Sequence, residues 1–205
     1  LIAWALIAAL RQVPAMTSVF TAVDGRPTRQ RPRAIQLGIA VDLPGKDGRR
    51  LLGVPNLKDG LAMDFAALLA AYDRLLDRAR RGALAPDDFA GTTCTLTNPG
   101  TIGTDSSLPR LLAGQSFILA TGAIAVPAAF HGAAPDTLTE LGVSRVLTLT
   151  STYDHRVIQG AESGQLLDCM QRLLLGEQDF YQQVFRSLAV PYRPLRYTAD
   201  RRPPP

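Results

Sequence analysis

Two cysteines and two histidines are all that this 205-residue chain holds of the residues that most often bind metals or cross-link a fold. Cys94 and Cys169 lie far apart, with no Cys-x-x-Cys pair and no histidine beside them. Neither a zinc site nor a disulfide framework is indicated, and two buried thiols in a reducing cytosol are expected. The opening apolar run, residues 1–10, is too short to span a bilayer and lacks the basic lead and cleavage site of a signal peptide. No membrane role is therefore expected, and the cytoplasm is the expected location. There is no initiator Met, as expected of a fragment cut from a longer chain. No Gly-x-x-x-x-Gly-Lys-Ser/Thr occurs, which rejects a P-loop, and no internal repeat is evident.

What is present describes a folded domain. With 46% hydrophobic and 20% charged residues the chain can bury a substantial core and is not a disordered segment. The formal charge is +4 and is carried almost wholly by arginine. That suits a polyanionic small molecule such as a nucleotide-bearing cofactor. The arginines are scattered, with only short pairs such as Arg49-Arg50 and Arg80-Arg81, so a nucleic-acid surface is the weaker reading.

Periodicity gives a coarse map. Ile2, Leu6 and Leu10 place one apolar stripe on a helix over residues 1–11 that ends near Val13-Pro14. A short strand at 18–23, a turn at Asp24-Gly25-Arg26-Pro27 and a polar connection to residue 33 follow. Residues 35–42 read as a strand that pairs, across a turn at 44–48, with 51–54 as a hairpin. Residues 63–81 form the clearest helix, with Met63, Leu68, Leu69, Tyr72, Leu75, Leu76 and Ala79 on one face, Asp64 near its positive end and Gly82 as its stop. Residues 116–126 suit a buried strand ended by Pro127. His131 to Pro135 is loop, with His131 on the surface, and residues 143–152 are another strand. Residues 160–175 form a helix whose Leu166, Leu167, Met170, Leu173 and Leu174 face inward. Beyond Phe185 the chain turns polar and proline-rich, so we expect a domain over residues 1–187 and an extended Pro/Arg-rich linker or tail over 188–205.

Two stretches carry chemistry. In Ser151-Thr152-Tyr153-Asp154-His155-Arg156-Val157-Ile158-Gln159-Gly160 a strand gives way to a turn that can aim one imidazole, a group ready to take a proton near pH 7. On position alone such a His is more often a polar cap or a satisfied packing residue. Asp154 and Arg156 flank it, an amide follows at Gln159, and Gly160 allows a tight backbone. In Gly91 to Gly103, a β-branched strand runs through Thr97-Asn98 into a bend held by Pro99, Gly100 and Gly103. By itself that is an ordinary hydroxyl-bearing turn.

The string Asp-His-Arg, two apolar residues, a polar residue and Gly resembles the active-site signature of the acyltransferase (E2) catalytic domains of 2-oxoacid dehydrogenase complexes. The longer run from Thr148 to Gly164 is similar to one branch, the E2-type domain fused ahead of the thiamine-dependent part in actinobacterial multifunctional 2-oxoglutarate dehydrogenase/decarboxylase enzymes. Residues 37–60 look like the segment that lines the acyl and pantetheine channel. The resemblance implies an α/β fold, a chloramphenicol acetyltransferase-like mixed sheet flanked by helices in an α+β two-layer sandwich. It implies that the N-terminal part of the family domain, ahead of the first helix, is missing here. It also implies a homotrimer with each site between two subunits, coenzyme A as substrate, and a lipoyl group on a partner domain. Thiamine diphosphate and Mg would belong only to an adjoining 2-oxoglutarate dehydrogenase domain. No metal is expected in this domain.

By resemblance His155 is the general base, Thr97 stabilises the tetrahedral intermediate, and Asn98, Gly100 and Arg156 contact substrate or coenzyme A. Gln159 stands where the usual pattern has Asp; an amide keeps hydrogen bonds and cannot supply charge. The implied activity is transfer of an acyl group, best read as succinyl, between dihydrolipoyl and coenzyme A. The alternative is a catalytically weak scaffold that trimerises a larger enzyme.

Overall fold

Alanine and leucine, strong helix formers, dominate the opening segment, which forms helix α1 (Ile2–Gln12) and stops two residues before Pro14. Its burial is wider than one stripe: Trp4, Ala5, Leu6, Ile7, Ala9 and Leu10 are all shielded. In this computed structural model, which describes residues 1–44 and 48–192, the chain continues through β1 (Val19–Val23), β2 (Arg26–Gln30), β3 (Leu37–Ile39), β4 (Val41–Pro44), β5 (Arg50–Gly53) and β6 (Asn56–Leu57). Helix α2 (Phe65–Arg80), β7 (Cys94–Thr97), β8 (Phe117–Thr121), α3 (Pro135–Glu140), β9 (Leu149–Tyr153), α4 (Gly160–Leu174) and α5 (Phe180–Ser187) follow. Residues 45–47 of the expected turn, and the tail from residue 193, lie outside the described residues.

Five strands form one mixed sheet in the order β6-β3-β7-β8-β9. Strands β3, β7 and β8 run parallel, and β6 and β9 close the two edges antiparallel. Alternate residues project to opposite faces. Leu37, Ile39, Cys94, Leu96, Phe117 and Leu119 therefore join α1, α2, α4 and α5 in one apolar core. Thr95 and Thr97 fall on the other face. The expected α/β architecture, a mixed sheet with helices packed on it, is the one observed. Among the described residues no helix is long and apolar enough to cross a membrane.

Several boundaries differ from those expected, each for a local reason. The polar connection after residue 25 is strand β2: Asp24 (φ 50°) and Gly25 (φ 72°) make a tight two-residue turn of the hairpin-forming kind, and β1 pairs β2 from Val19↔Gln30 to Val23↔Arg26. The strand expected at 35–42 divides at Ala40, its first part serving the main sheet and its second pairing with β5. The strand expected over 116–126 ends at Thr121. Gly122 comes so close to another segment that a Cβ would lie 1.8 Å from the Asp105 carbonyl oxygen. With no continuation of β8 to pair with, β9 starts at Leu149, and only an isolated bridge, Ala125↔Val146, precedes it. Strand β6 and helices α3 and α5 were not anticipated; α3 starts on Pro135, whose missing N–H is tolerated at a first helical turn.

The two amphipathic helices follow their patterns closely. In α2, Phe65, Leu68, Leu75 and Ala79 are buried, the Asp64 carboxylate accepts the Ala67 N–H at 2.8 Å, and Gly82 (φ 66°) ends the run. Leu69 departs from the expected face and is exposed. In α4, Leu166, Cys169, Met170 and Leu173 are buried. Both thiols are free and buried, and burial pushes that of Cys94 up to about 12.

The glycines give a test of the packing. Gly122→Ala would drive a methyl into backbone and should cost about 1–3 kcal/mol or more in urea unfolding. Gly164→Ala, on the exposed face of α4 with nothing within 4 Å, should stabilise by about 0.5–1 kcal/mol. Equal effects from the two would contradict the close approach at Gly122.

Candidate active site

The turn after β9 is built from one polar pair and one apolar pair. Val157 and Ile158 are buried, and this anchorage forces the preceding His155 and Arg156 outward. The main chain is tied at both ends: the Asp154 N–H donates to the Ser116 carbonyl at 2.7 Å, and the Asp154 carbonyl accepts from Val157 and Ile158 at 3.1 and 3.0 Å. The Asp154 carboxylate grips Arg156 in fork fashion, taking Nε at 2.9 Å and Nη2 at 2.6 Å, and also accepts the Arg156 backbone N–H at 3.0 Å. The hydrogen bond from Arg156 holds the Asp154 carboxyl below its ordinary range. His155 is exposed, its ring 5.5 Å from that of Tyr153.

Gln159 is the exposed N-cap of α4, and its backbone N–H donates to the Glu162 carboxylate at 2.7 Å. That bond is the leading reason the Glu162 carboxyl titrates low, ahead of the ion pair to Arg29. Gly160 is less demanding than expected. It is the first residue of α4, and a Cβ there would meet only the Tyr153 hydroxyl, at 3.4 Å.

Thr97 ends β7 half-buried, and Asn98, exposed, caps a single helical turn over Pro99–Ile102 that Gly103 (φ 89°) closes. The Asn98 carbonyl accepts the Thr101 hydroxyl at 3.1 Å. Gly100 is packed backbone on backbone: a Cβ would lie 2.2 Å from the carbonyl carbon and oxygen of Gly122. The Ala123 N–H donates to the Thr104 carbonyl at 2.8 Å and completes the seam. Exposed Ile102 and Ile124 stand on this loop and on the segment after β8.

One chain does not bring Thr97 and His155 together. Thr97 pairs with Ala120, which pairs with Thr150, whereas Tyr153 lies three residues farther along β9, opposite Phe117. The level of Tyr153 is thus about 10 Å along the strands and about 10 Å across two strand spacings. His155 lies beyond it. A base and an oxyanion donor must each reach a reacting centre within about 3 Å.

The sequence matches the model of the 2-oxoacid dehydrogenases acyltransferase (catalytic domain) family over residues 1–180. The chain belongs to this acyltransferase family. It is 48% identical over 200 residues to the multifunctional 2-oxoglutarate metabolism enzyme of Mycolicibacterium vanbaalenii, covering 98% of this chain and 16% of that enzyme. The chain thus spans about a sixth of the length of the curated relatives it matches. Among solved structures, the cubic core of the pyruvate dehydrogenase multienzyme complex aligns with TM-score 0.69 and 26% identity, over 88% of this chain and 71% of that one. The dihydrolipoamide acetyltransferase of Azotobacter vinelandii aligns with TM-score 0.69 and 25% identity, over 88% and 70%. That enzyme's structure concerns the role of one serine, one histidine and one asparagine in its catalytic mechanism.

Around this acyltransferase turn the structure adds residues that sequence reasoning passed over. Phe20 lies under the Arg156 guanidinium, 3.9 Å from ring centroid to Cζ, and Arg29 pairs with Glu162 at 3.3 Å. The only signal for either was the Asp24-Gly25 dipeptide, which marks a hairpin.

Asp154 and Glu162 both carry depressed folded-state values, so the unfolded chain takes up protons first as pH falls. Their contribution is complete above their ordinary values, near 4, and is lost as pH drops through the lower folded ones. Urea unfolding at pH 7 and pH 3 should therefore show a smaller loss for Asp154→Asn than for the wild type; equal losses would contradict the clamp.

Proposed function

We propose that the domain moves an acyl group, best read as succinyl, between dihydrolipoyl and coenzyme A thiols. The observation that carries this reading is His155 on an exposed turn, its backbone tied at Asp154, in a chain whose family is that of the 2-oxoacid dehydrogenase acyltransferases. The succinyl choice rests on the relative named for 2-oxoglutarate metabolism.

His155 takes the proton from the coenzyme A thiol as its sulfur attacks the thioester carbon, a positioned base contributing about two to four orders of magnitude in rate. Thr97 donates a hydrogen bond to the developing oxyanion, typically about a hundred- to a thousandfold. The tetrahedral adduct then expels the dihydrolipoyl sulfur, and the imidazolium of His155 returns the proton to it. Because one chain holds Thr97 and His155 at different ends of β8, the site forms between copies in a homotrimer, His155 from one subunit and Thr97 from its neighbour. Exposed Ile102 and Ile124 beside the Thr97 loop suit such an interface.

Gln159 keeps the turn ordered and offers its amide to the site. In the Azotobacter vinelandii enzyme the histidine and asparagine of interest are four positions apart, as His155 and Gln159 are, so an amide at this place is compatible with catalysis. Asn98 and Gly100 shape the loop that receives coenzyme A. Arg156, already paired with Asp154, meets it only at the rim. Residues 1–187 act as the catalytic unit, 188–205 as a linker. A lipoyl-bearing domain delivers the acyl group, and a thiamine-dependent 2-oxoglutarate dehydrogenase domain, with its own thiamine diphosphate and Mg, supplies it, in the same chain if fused.

Complementation tests this. His155→Ala and Thr97→Val should each abolish transfer as pure trimers. Mixed in equal amounts, they should regenerate intact sites in about a quarter of positions, since each site in a ring draws on two different copies. Full activity in His155→Ala would refute the reading; trimers of wild-type protein that bind no coenzyme A by calorimetry would favour the scaffold.

A further inference from the structure

The two residues of the β1–β2 hairpin that touch the site are directly opposite one another in its register, Phe20↔Arg29. A cross-strand pair shares one face of a ribbon, so a single face presents both. Phe20 lies against Arg156, immediately after His155. Arg29 pairs with Glu162, whose carboxylate also holds the Gln159 N–H, and reaches the Ala15 carbonyl at 3.4 Å. The hairpin thus meets the His155 turn near its start and at its end.

The strength of these contacts decides what they can do. Phe20 is 37% exposed, and the side chains of Arg29, Glu162 and Arg156 are 44%, 23% and 64% exposed. Contacts so open to water shift an equilibrium by only a few-fold each. The turn has other anchors as well, because Val157 and Ile158 belong to the apolar core and the Asp154 clamp is local. What they can bias is how firmly the exposed residues of the turn, His155 and Arg156, are held above that anchored backbone.

We propose that Phe20 and Arg29 are positioning residues: the hairpin face grips Arg156 and Glu162 and so holds the segment from His155 to Gln159 in its productive conformation. The proposal rests on His155 being the base of the acyl transfer proposed above. Neither residue touches a reacting atom. A guanidinium over an aromatic face requires the π system, whereas simple covering of the turn requires only apolar area, and that difference is testable.

The experiment is amide hydrogen exchange of the intact protein, read on peptides spanning residues 153–160, alongside steady-state transfer to coenzyme A. Phe20→Leu and Arg29→Gln should each speed exchange in those peptides about two- to fivefold, with exchange elsewhere in the sheet unchanged, and their combination should do more. Phe20→Trp should restore the wild-type rate. In parallel, kcat should fall by a similar factor with KM for coenzyme A unchanged. Wild-type exchange in Phe20→Leu overturns the proposal, as does loosening that spreads over the whole sheet. Faster exchange with unchanged kcat also overturns it, provided His155→Ala is inactive. If His155→Ala retains full turnover, the acyl-transfer reading fails instead, and the proposal, which rests on it, falls with it.

Discussion

Strand β8 is shielded from water along all five of its residues, and that burial fixes where the Thr97 loop and the His155 turn stand. A one-residue slip would exchange Phe117 and Leu119 with Ile118 and Ala120 between the two faces of the sheet, so the register is strongly held. Its neighbours then run in opposite senses. Parallel β7 delivers its C-terminal residue, Thr97, near the C-terminal end of β8, whereas antiparallel β9 delivers the His155 turn past the N-terminal end. The separation of the two motifs within a chain is thus a consequence of strand direction.

The two motifs are held by different physics. The Thr97 loop is fixed sterically: Gly100 sits on Gly122, and Gly122 on Asp105, with no room for a side chain at either glycine. Such contacts are all or nothing, because backbone cannot retreat as the tip of a side chain can. The His155 turn is anchored below by Val157 and Ile158 and dressed above by exposed ionic and aromatic contacts. Those contacts are individually weak in water, which leaves the turn adjustable while its base stays fixed.

Much of this was legible in the chain. The helices of residues 63–81 and 160–175 were readable because a 3.6-residue apolar period has few competing explanations, and the structure buries or half-buries the faces that it marked, Leu69 excepted. Most strands were located but not bounded, and β2 and β6 were not read as strands at all. Residues 35–42 look like one strand because propensity reports extended backbone and not which sheet a residue joins; the split at Ala40 depends on partners far along the chain. Arg26–Gln30 looked like a connection because arginine and proline mask a largely exposed strand that is defined by its pairing with β1. The contacts of Phe20 with Arg156 and of Arg29 with Glu162 were invisible, since nothing near either residue in sequence ties it to the His155 turn.

The sequence by itself determined the family, the order of the two motifs, the identity of the imidazole and the amide four residues after it, because these are written in contiguous residues and local backbone chemistry. Tertiary structure alone decided that Gly100 serves close packing, that Arg156 is paired with Asp154, that the β1–β2 hairpin reaches the turn, and that Thr97 and His155 stand apart in one chain. Those facts depend on strand direction and register, which arise when distant segments share the burial of apolar surface, and no local pattern of residues encodes them.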